Sequence, residues 1–403
     1  MILKLFKQRP YSFDTLIRQA LILLMLAASF VWLGYEFHRL LLDESLTGAI
    51  DLKQRYEELF FWFRGFEIYG VIRTATYPPA SMVMLWPLLG WTGLATARLI
   101  WALASILSLY WLIAIFLRES LAATRTSRLL VILIPLAMYS AGACIGNGQV
   151  IVLLLPPLLA GLLRLQRSGI SVETDLTASL FFLFALIKPS MAVPFFWLVL
   201  MVPGRIRPAL GITAGYAGLT FIAASFQPRD TLHLLLEWLH TSSEILAGLA
   251  RQFSYNNIHS WLWALEMPQF VPLLSLSSLG VLGVWIWFNR KADIWLIISV
   301  ASLFARLWSY HAWYDDLLIA PALIALIRIL HSRRLSGPAV KVTSALLYLG
   351  ILLTMAPGGH YLLPPLWKSI YLSFQGAHWL ALLIFLLWQI HREKSSAYSF
   401  MLR

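Results

Sequence analysis

Apolar runs, several of them long enough to cross a lipid bilayer, recur along almost the whole chain, and the polar segments between them are short. A crossing takes roughly 20 apolar residues as a helix. Lipid offers backbone amides no partner, so each run is held to helical form. The first run covers 16–34, and others fall near 94–117, 129–144, 150–163, 176–202, 209–226, 271–289, 293–309, 317–330, 342–357 and 370–390. Of the 403 residues, 60% are hydrophobic and 12% charged, where a soluble domain carries about a quarter charged residues. The expectation is an all-α polytopic membrane protein, one integral membrane domain over 1–403.

A net charge of +12 in a soluble chain would suggest nucleic acid. Here the excess sits in short loops, where basic residues set orientation, so no nucleic-acid partner is expected. The 18 Trp and 15 Tyr suit interfacial belts. The lone Cys144 excludes an intramolecular disulfide and a cysteine-rich metal site, and reads as a packing residue. Lys4, Lys7, Arg9 and Arg18 before the first run, with Ala27-Ala28-Ser29 inside it, resemble a signal peptide. The run is long enough to span and many follow, so it reads as an uncleaved first transmembrane helix.

The loop cations give one consistent topology under two conditions. Residues 80–90, too short to cross, must return to their own side. Residues 176–202 must be two half-helices broken at Lys188-Pro189 rather than one kinked span. Arg118, Arg125, Arg128, Arg164, Arg167, Arg205, Arg207, Arg290, Lys291, Arg333, Arg334, Lys341, Arg392 and Lys394 then share the cytoplasmic side with both termini. Residues 35–79, 227–270, 309–316 and 358–368 fall outside.

The most informative polar stretch is 51–89. Leu52, Tyr56, Leu59, Phe60 and Phe63 recur at helical spacing among Lys53, Arg55, Glu57, Glu58 and Arg64. That pattern predicts a helix along the membrane surface with its apolar face in the headgroup zone. Gly65, Tyr69 and Gly70, then Tyr77-Pro78-Pro79, break the backbone before the chain re-enters the apolar phase. Asp51 is either a solvated loop acid or N-cap, or a functional carboxylate on the outer side. Other costly polar groups expected on that side favour the second reading.

Lys188 stands inside an apolar run, where a cation costs about 2.5–3.5 kcal/mol. It either snorkels to the interface or lines a polar cavity; the carbonyls freed by Pro189 favour the cavity, and a compact ammonium suits a phosphate. Gly146-Asn147-Gly148-Gln149 is a tight turn or a polar loop at a cavity floor, and Gln149 has no turn role. Asn256-Asn257-Ile258-His259-Ser260-Trp261 reads equally as an interfacial belt or as substrate contacts. In the stretch from Arg306 to Asp316, His311 and Asp315 are one turn apart if helical, and Trp313 stands between them. Aromatic rings beside hydrogen-bonding groups suit a sugar, and a membrane interface just as well. Asp43-Glu44 and Asp315-Asp316 are solvated pairs or ligands for a divalent cation. The sequence holds no Gly-rich phosphate loop, His-Glu-x-x-His or Gly-x-Ser-x-Gly.

Taken in order, Asp51-Leu52 with Tyr56, Gly65 and Tyr69, Tyr77-Pro78-Pro79 leading to Pro87-Leu88, Gly148-Gln149, Lys188-Pro189 and Trp313-Tyr314-Asp315 resemble glycosyltransferase family 87 of the GT-C superfamily. That family includes polyprenyl-phosphate-mannose-dependent mannosyltransferases and related arabinofuranosyltransferases. The resemblance implies a GT-C-type fold with about ten to thirteen transmembrane or re-entrant helices, by the length rule above, and a catalytic acid in the first outer loop. It implies a bacterial inner-membrane enzyme taking a hexose or pentose, mannose favoured, from a polyprenyl-phosphate donor to a lipid-linked or glycan acceptor. Asp51 would be the base and Lys188 would bind the donor phosphate, with Arg73, Arg306 and His311 as further candidates. Tyr56, Tyr77, Asn147, Gln149, Asn257, His259, Trp313 and Asp315 would contact substrate. No cofactor is implied beyond a divalent cation that the acid pairs leave open. Two departures are Lys53-Gln54-Arg55-Tyr56, where the family shows a small hydrophobic residue and a Tyr pair, and His259, close to the family's serine position.

Two other readings stay open. A polymerase or ligase with a lipid-diphosphate donor would carry arginine pairs in a large outer loop, and 227–270 holds Arg229 and Arg251 alone. A flippase would share the broken helix but repeat it in a second half, and no matching half is visible.

Overall fold

The computed structural model describes residues 13–72, 74–252, 256–332, 337–356 and 363–401. Among them all regular structure is helical. In order these are α1 (Phe13–Leu41), α2 (Ile50–Trp62), α3 (Pro79–Leu89), α4 (Leu94–Glu119), α5 (Arg125–Ala137), α6 (Tyr139–Asn147), α7 (Ile151–Arg167), α8 (Val172–Ala185) and α9 (Pro189–Leu200). Then come α10 (Arg207–Ala224), α11 (Thr231–Gln252), α12 (Ile258–Ala264), α13 (Val271–Asn289), α14 (Ile294–Trp308), α15 (Ala320–His331), α16 (Pro338–Met355) and α17 (Pro365–Met401). A 3-10 turn, Trp313–Ile319, leads into α15.

Among the described residues five helices are long and apolar enough to cross a membrane, six if α5 and α6 are one span bent by 41°. The protein is a polytopic membrane protein. The bend falls at Met138, whose backbone is extended, three residues after Pro135. Shorter helices survive because protein surrounds them: 13 of the 17 residues of α7 are buried, on every side of its first two and a half turns. Proline opens several elements at a position where its missing N–H costs nothing, as Pro79 does in α3 and Pro189 in α9. Residues 176–202 are two helices, and Lys188 sits at their junction in a non-helical conformation (φ −119°, ψ 86°).

The basic loops meet at one end. Arg167 grips Glu119 through two bonds of 2.6 Å. Arg205 pairs with Asp175 at 2.7 Å and donates to the carbonyls of Leu165, Ser168 and Gly169. Arg328 reaches the Glu119 carbonyl and Asp293. Arg164, Arg167 and Arg205 therefore share an end, as the two half-helices require. Lys4, Lys7, Arg9, Arg333 and Arg334 lie outside the described residues.

Two expectations about α2 need correction. Much of its apolar face lies on protein rather than in the headgroup zone: Leu52 and Leu59 are buried, as is Trp62, which donates its indole N–H to the Ala223 carbonyl at 3.1 Å, while Tyr56 and Phe63 are half-buried and Phe60 is exposed. The buried stripe also includes Arg55 and Glu58, an ion pair at 2.7 Å. A helical stripe reports that a face is covered, not by what. Nor is Asp51 an N-cap, since Ala49 holds that position in the left-handed region at φ 50° and Asp51 lies in the first turn.

Candidate active site

At the end opposite the arginines, a cavity of about 380 Å³ opens between α2, the start of α7, the α8–α9 break, α11 and the 3-10 turn. Its polar wall holds Asp51, Arg55, Tyr77, Gln149, Lys188 and Asp315, and α11 supplies an apolar wall of Trp238, Ile245, Leu246 and Leu249.

Backbone geometry places the acid. The Ala49 N–H donates to the Gly146 carbonyl at 3.1 Å, tying the start of α2 to the end of α6. Gly148 ends α6 in the left-handed region at φ 76°, and a Cβ there would overlap Leu52. Glycine is what lets this turn approach α2. The approach brings the Gln149 side chain beside Asp51 at the cavity. Burial raises the Asp51 carboxyl above its ordinary range, against the opposing pull of Gln149, Arg55 and Lys188.

The second carboxylate is treated in the opposite way. Lys188 Nζ donates to Asp315 Oδ1 at 2.6 Å, and His311 Nδ1 meets Asp315 Oδ2 at 2.8 Å. Burial works against the charge on Asp315, but Lys188 and His311 outweigh it and hold the carboxyl below the ordinary range. One cavity thus carries two acids whose surroundings push them apart, an arrangement that divides acid–base roles.

Of the residues singled out in the sequence, the fold gathers Asp51, Tyr77, Gln149, Lys188 and Asp315 around this cavity, with His311 directly behind Asp315. Others take partners elsewhere. Tyr56 donates its hydroxyl to the Thr92 carbonyl at 3.0 Å. The Asn147 Oδ1 accepts from Arg39 at 2.8 Å. Asn257 caps α12 and donates to the His311 carbonyl at 3.2 Å, one step from the site. His259 meets the Ser275 hydroxyl at 3.0 Å. Arg306 pairs with Asp316 and donates to the Asn256 carbonyl at 3.0 Å. Trp313 packs on Tyr139 with ring centroids 5.0 Å apart. Arg73 lies outside the described residues.

Asp315 and Asp316 face different cations, so the adjacent acids are not a joint ligand pair. Among the described residues no three His, Cys, Asp or Glu side chains converge as metal ligands.

Arg55 is the cavity residue that sequence reasoning passed over. It is 5% exposed, donates to the Thr74 carbonyl at 2.8 Å and lies over the Tyr77 ring at 4.4 Å. Its Nη1 is buried with no hydrogen-bond partner among the described residues. The available signal was its spacing, four residues after Asp51 and so on the same helix face. Trp238, Ile245 and Leu249 stand at helical spacing opposite a polar face of His233, Glu237, His240 and Glu244, a pattern that marks α11 as an amphipathic helix but not what its apolar face covers.

The model of one protein family, described as glycosyltransferase family 87, matches residues 75–310, more than half of the chain. That span includes Tyr77, Gln149 and Lys188, while Asp51 and Asp315 stand just beyond its two ends. No curated protein and no solved structure matches.

Proposed function

The chain belongs to glycosyltransferase family 87 and is a membrane glycosyltransferase, and from that premise we propose that it transfers a hexose or pentose, mannose above others, from a polyprenyl-phosphate donor. The acceptor is a lipid-linked or glycan hydroxyl on the outer face of a bacterial inner membrane. The observation that carries this reading is the meeting of Asp51 and Lys188 in one cavity. Its volume, about 380 Å³, is within the range of small-molecule sites. The apolar α11 wall suits the first units of a polyprenyl chain.

Asp51 in its ionised form accepts the proton of the acceptor hydroxyl as that oxygen attacks the anomeric carbon. The bond from the anomeric carbon to the phosphate oxygen breaks, and its electron pair leaves with the phosphate. Lys188 stabilises the charge that develops there. An ammonium has three donors, and Asp315 uses one, so two serve the phosphate. The unpartnered Nη1 of Arg55 adds a further donor. A single displacement inverts the anomeric configuration.

The test is transfer from a panel of radiolabelled polyprenyl-phosphate sugars by the purified protein and by Asp51→Asn. Wild-type transfer from the mannosyl donor with a loss of about 10²–10⁴ in the variant is expected. Near wild-type transfer by Asp51→Asn would remove Asp51 as the base, and activity with lipid-diphosphate sugars alone would replace the donor assignment.

A further inference from the structure

A second cavity, about 510 Å³, opens at the arginine-rich end between α4, α7 and α8. It lies at the far ends of α4 and α7 from the acid, and the transfer reaction has no use for it. Its two halves differ in chemistry. Trp111, Ala160 and Phe181 stand in one half, with the Trp111 and Phe181 rings edge to face at 5.4 Å. Arg118, Arg164 and Arg167 stand in the other half. Trp111 and Arg118 are two turns apart on α4, roughly 10 Å at 1.5 Å per residue.

The charges there are unevenly matched. Glu119, 1% exposed, is gripped by both nitrogens of Arg167, and Arg118 reaches it with one contact of 3.3 Å. Arg118 is otherwise 65% exposed. Arg164 shares one bond of 2.7 Å with Glu173, itself 82% exposed. The Arg164 Nε is buried with no hydrogen-bond partner among the described residues. Three guanidinium groups against two carboxylates leave one positive charge, and Arg118 and Arg164 hold spare donors.

A ligand that satisfies both halves has an anionic head and an apolar tail separated by about two helical turns. Inorganic phosphate would use the arginines and leave the aromatic half empty; an uncharged lipid would do the reverse. Ala114 and Arg118 are exposed along α4, so a chain in the surrounding bilayer reaches the cavity from the side. Basic pockets between membrane helices bind the headgroups of anionic lipids. We propose that this cleft holds one acidic glycerophospholipid, with its phosphodiester on Arg118 and Arg164 and an acyl chain along Trp111 and Phe181. Arg167 stays with Glu119 and shapes the wall.

The experiment is native mass spectrometry of the full chain titrated with dioleoyl phosphatidylglycerol, with dioleoyl phosphatidylcholine as the zwitterionic comparison. The wild type is expected to retain one phosphatidylglycerol that phosphatidylcholine does not replace. Arg118→Gln/Arg164→Gln is expected to weaken its retention about 30-fold, since each cation at a membrane surface contributes about the same small increment. Ala160→Trp fills the apolar half while leaving both arginines in the sequence, and is expected to abolish the adduct by a route other than charge removal. Equal retention by the wild type and both variants would overturn the proposal. Displacement of the lipid by millimolar inorganic phosphate would overturn it too, by reassigning the arginines to a free anion.

Discussion

The two ends of the molecule use the same residue types to opposite effect. At the basic end, Arg205 closes on Asp175 and three carbonyls, and Arg167 closes on Glu119 through both nitrogens. At the cavity end, Arg55 keeps an unpartnered nitrogen, and Asp51 lies beside Gln149 with Lys188 given over to Asp315 instead. Filled networks such as those of Arg205 and Arg167 lock loops together, whereas groups left short of partners, Arg55 here and Arg118 and Arg164 beside the basic network, retain capacity for a ligand. The comparison teaches that the satisfaction of a buried charge, more than its presence, separates scaffold from chemistry.

The contrast breaks most sharply at Asp51. Asp51→Asn is expected to lose about 10²–10⁴ in turnover while melting within a degree or two of wild type, roughly the span of a surface change; a collapse in melting temperature would make the residue structural. Arg205→Met is the mirror image. It strands Asp175 in a buried site and is expected to cost about 3–5 kcal/mol of stability, read by thermal unfolding in detergent, with turnover per folded molecule unchanged. Lys188→Met stands between the two. It removes the phosphate cation and leaves Asp315 without its ammonium, so turnover falls about 10²-fold and stability falls as well. Lys188→Met/Asp315→Asn is expected to restore much of the stability and none of the turnover. Equal recovery of both would assign Lys188 to the scaffold.

The smallest effect sharpens the account of Asp51. A base must be ionised, and burial raises this carboxyl. Turnover therefore falls as pH drops through a value above the ordinary carboxylate range, which is about 3.9 for Asp. Gln149 pulls that value down, so Gln149→Leu is expected to move the acid limb of the pH profile further up. A limb that stays in place would detach Gln149 from the acid.

Much of this fold was legible because lipid simplifies the code. Apolar runs gave helices, Pro189 gave the break at Lys188, and loop arginines gave the shared end. Covering partners were not legible. Leu52 and Leu59 announce a buried face, but the sequence does not say whether protein or headgroups bury it, and the cost is similar either way. Pairings across long separations were equally silent: Lys188 meets Asp315 from 127 residues away, and Arg39 meets Asn147 from 108. Asn147 reads as a ligand contact from its place in a polar loop at a cavity floor; it is buried, and a buried amide's need for partners is met here by Arg39. Gln149 and Lys188 could be singled out because one is purposeless and the other costly at its local position, and Asp51 because those groups were expected on its side of the membrane. Arg55 sat in an amphipathic pattern that already explained it.

The bare Cα of Gly148 has a further consequence. The height of the acid above the cavity floor is set by main chain against main chain, a spacing that does not drift when neighbouring side chains are exchanged. The α11 wall, in contrast, is built from interchangeable apolar groups. Substitutions there can recut the cavity for another lipid or sugar while the proton acceptor stays at a fixed altitude, so selectivity and reactivity are adjustable on separate dials.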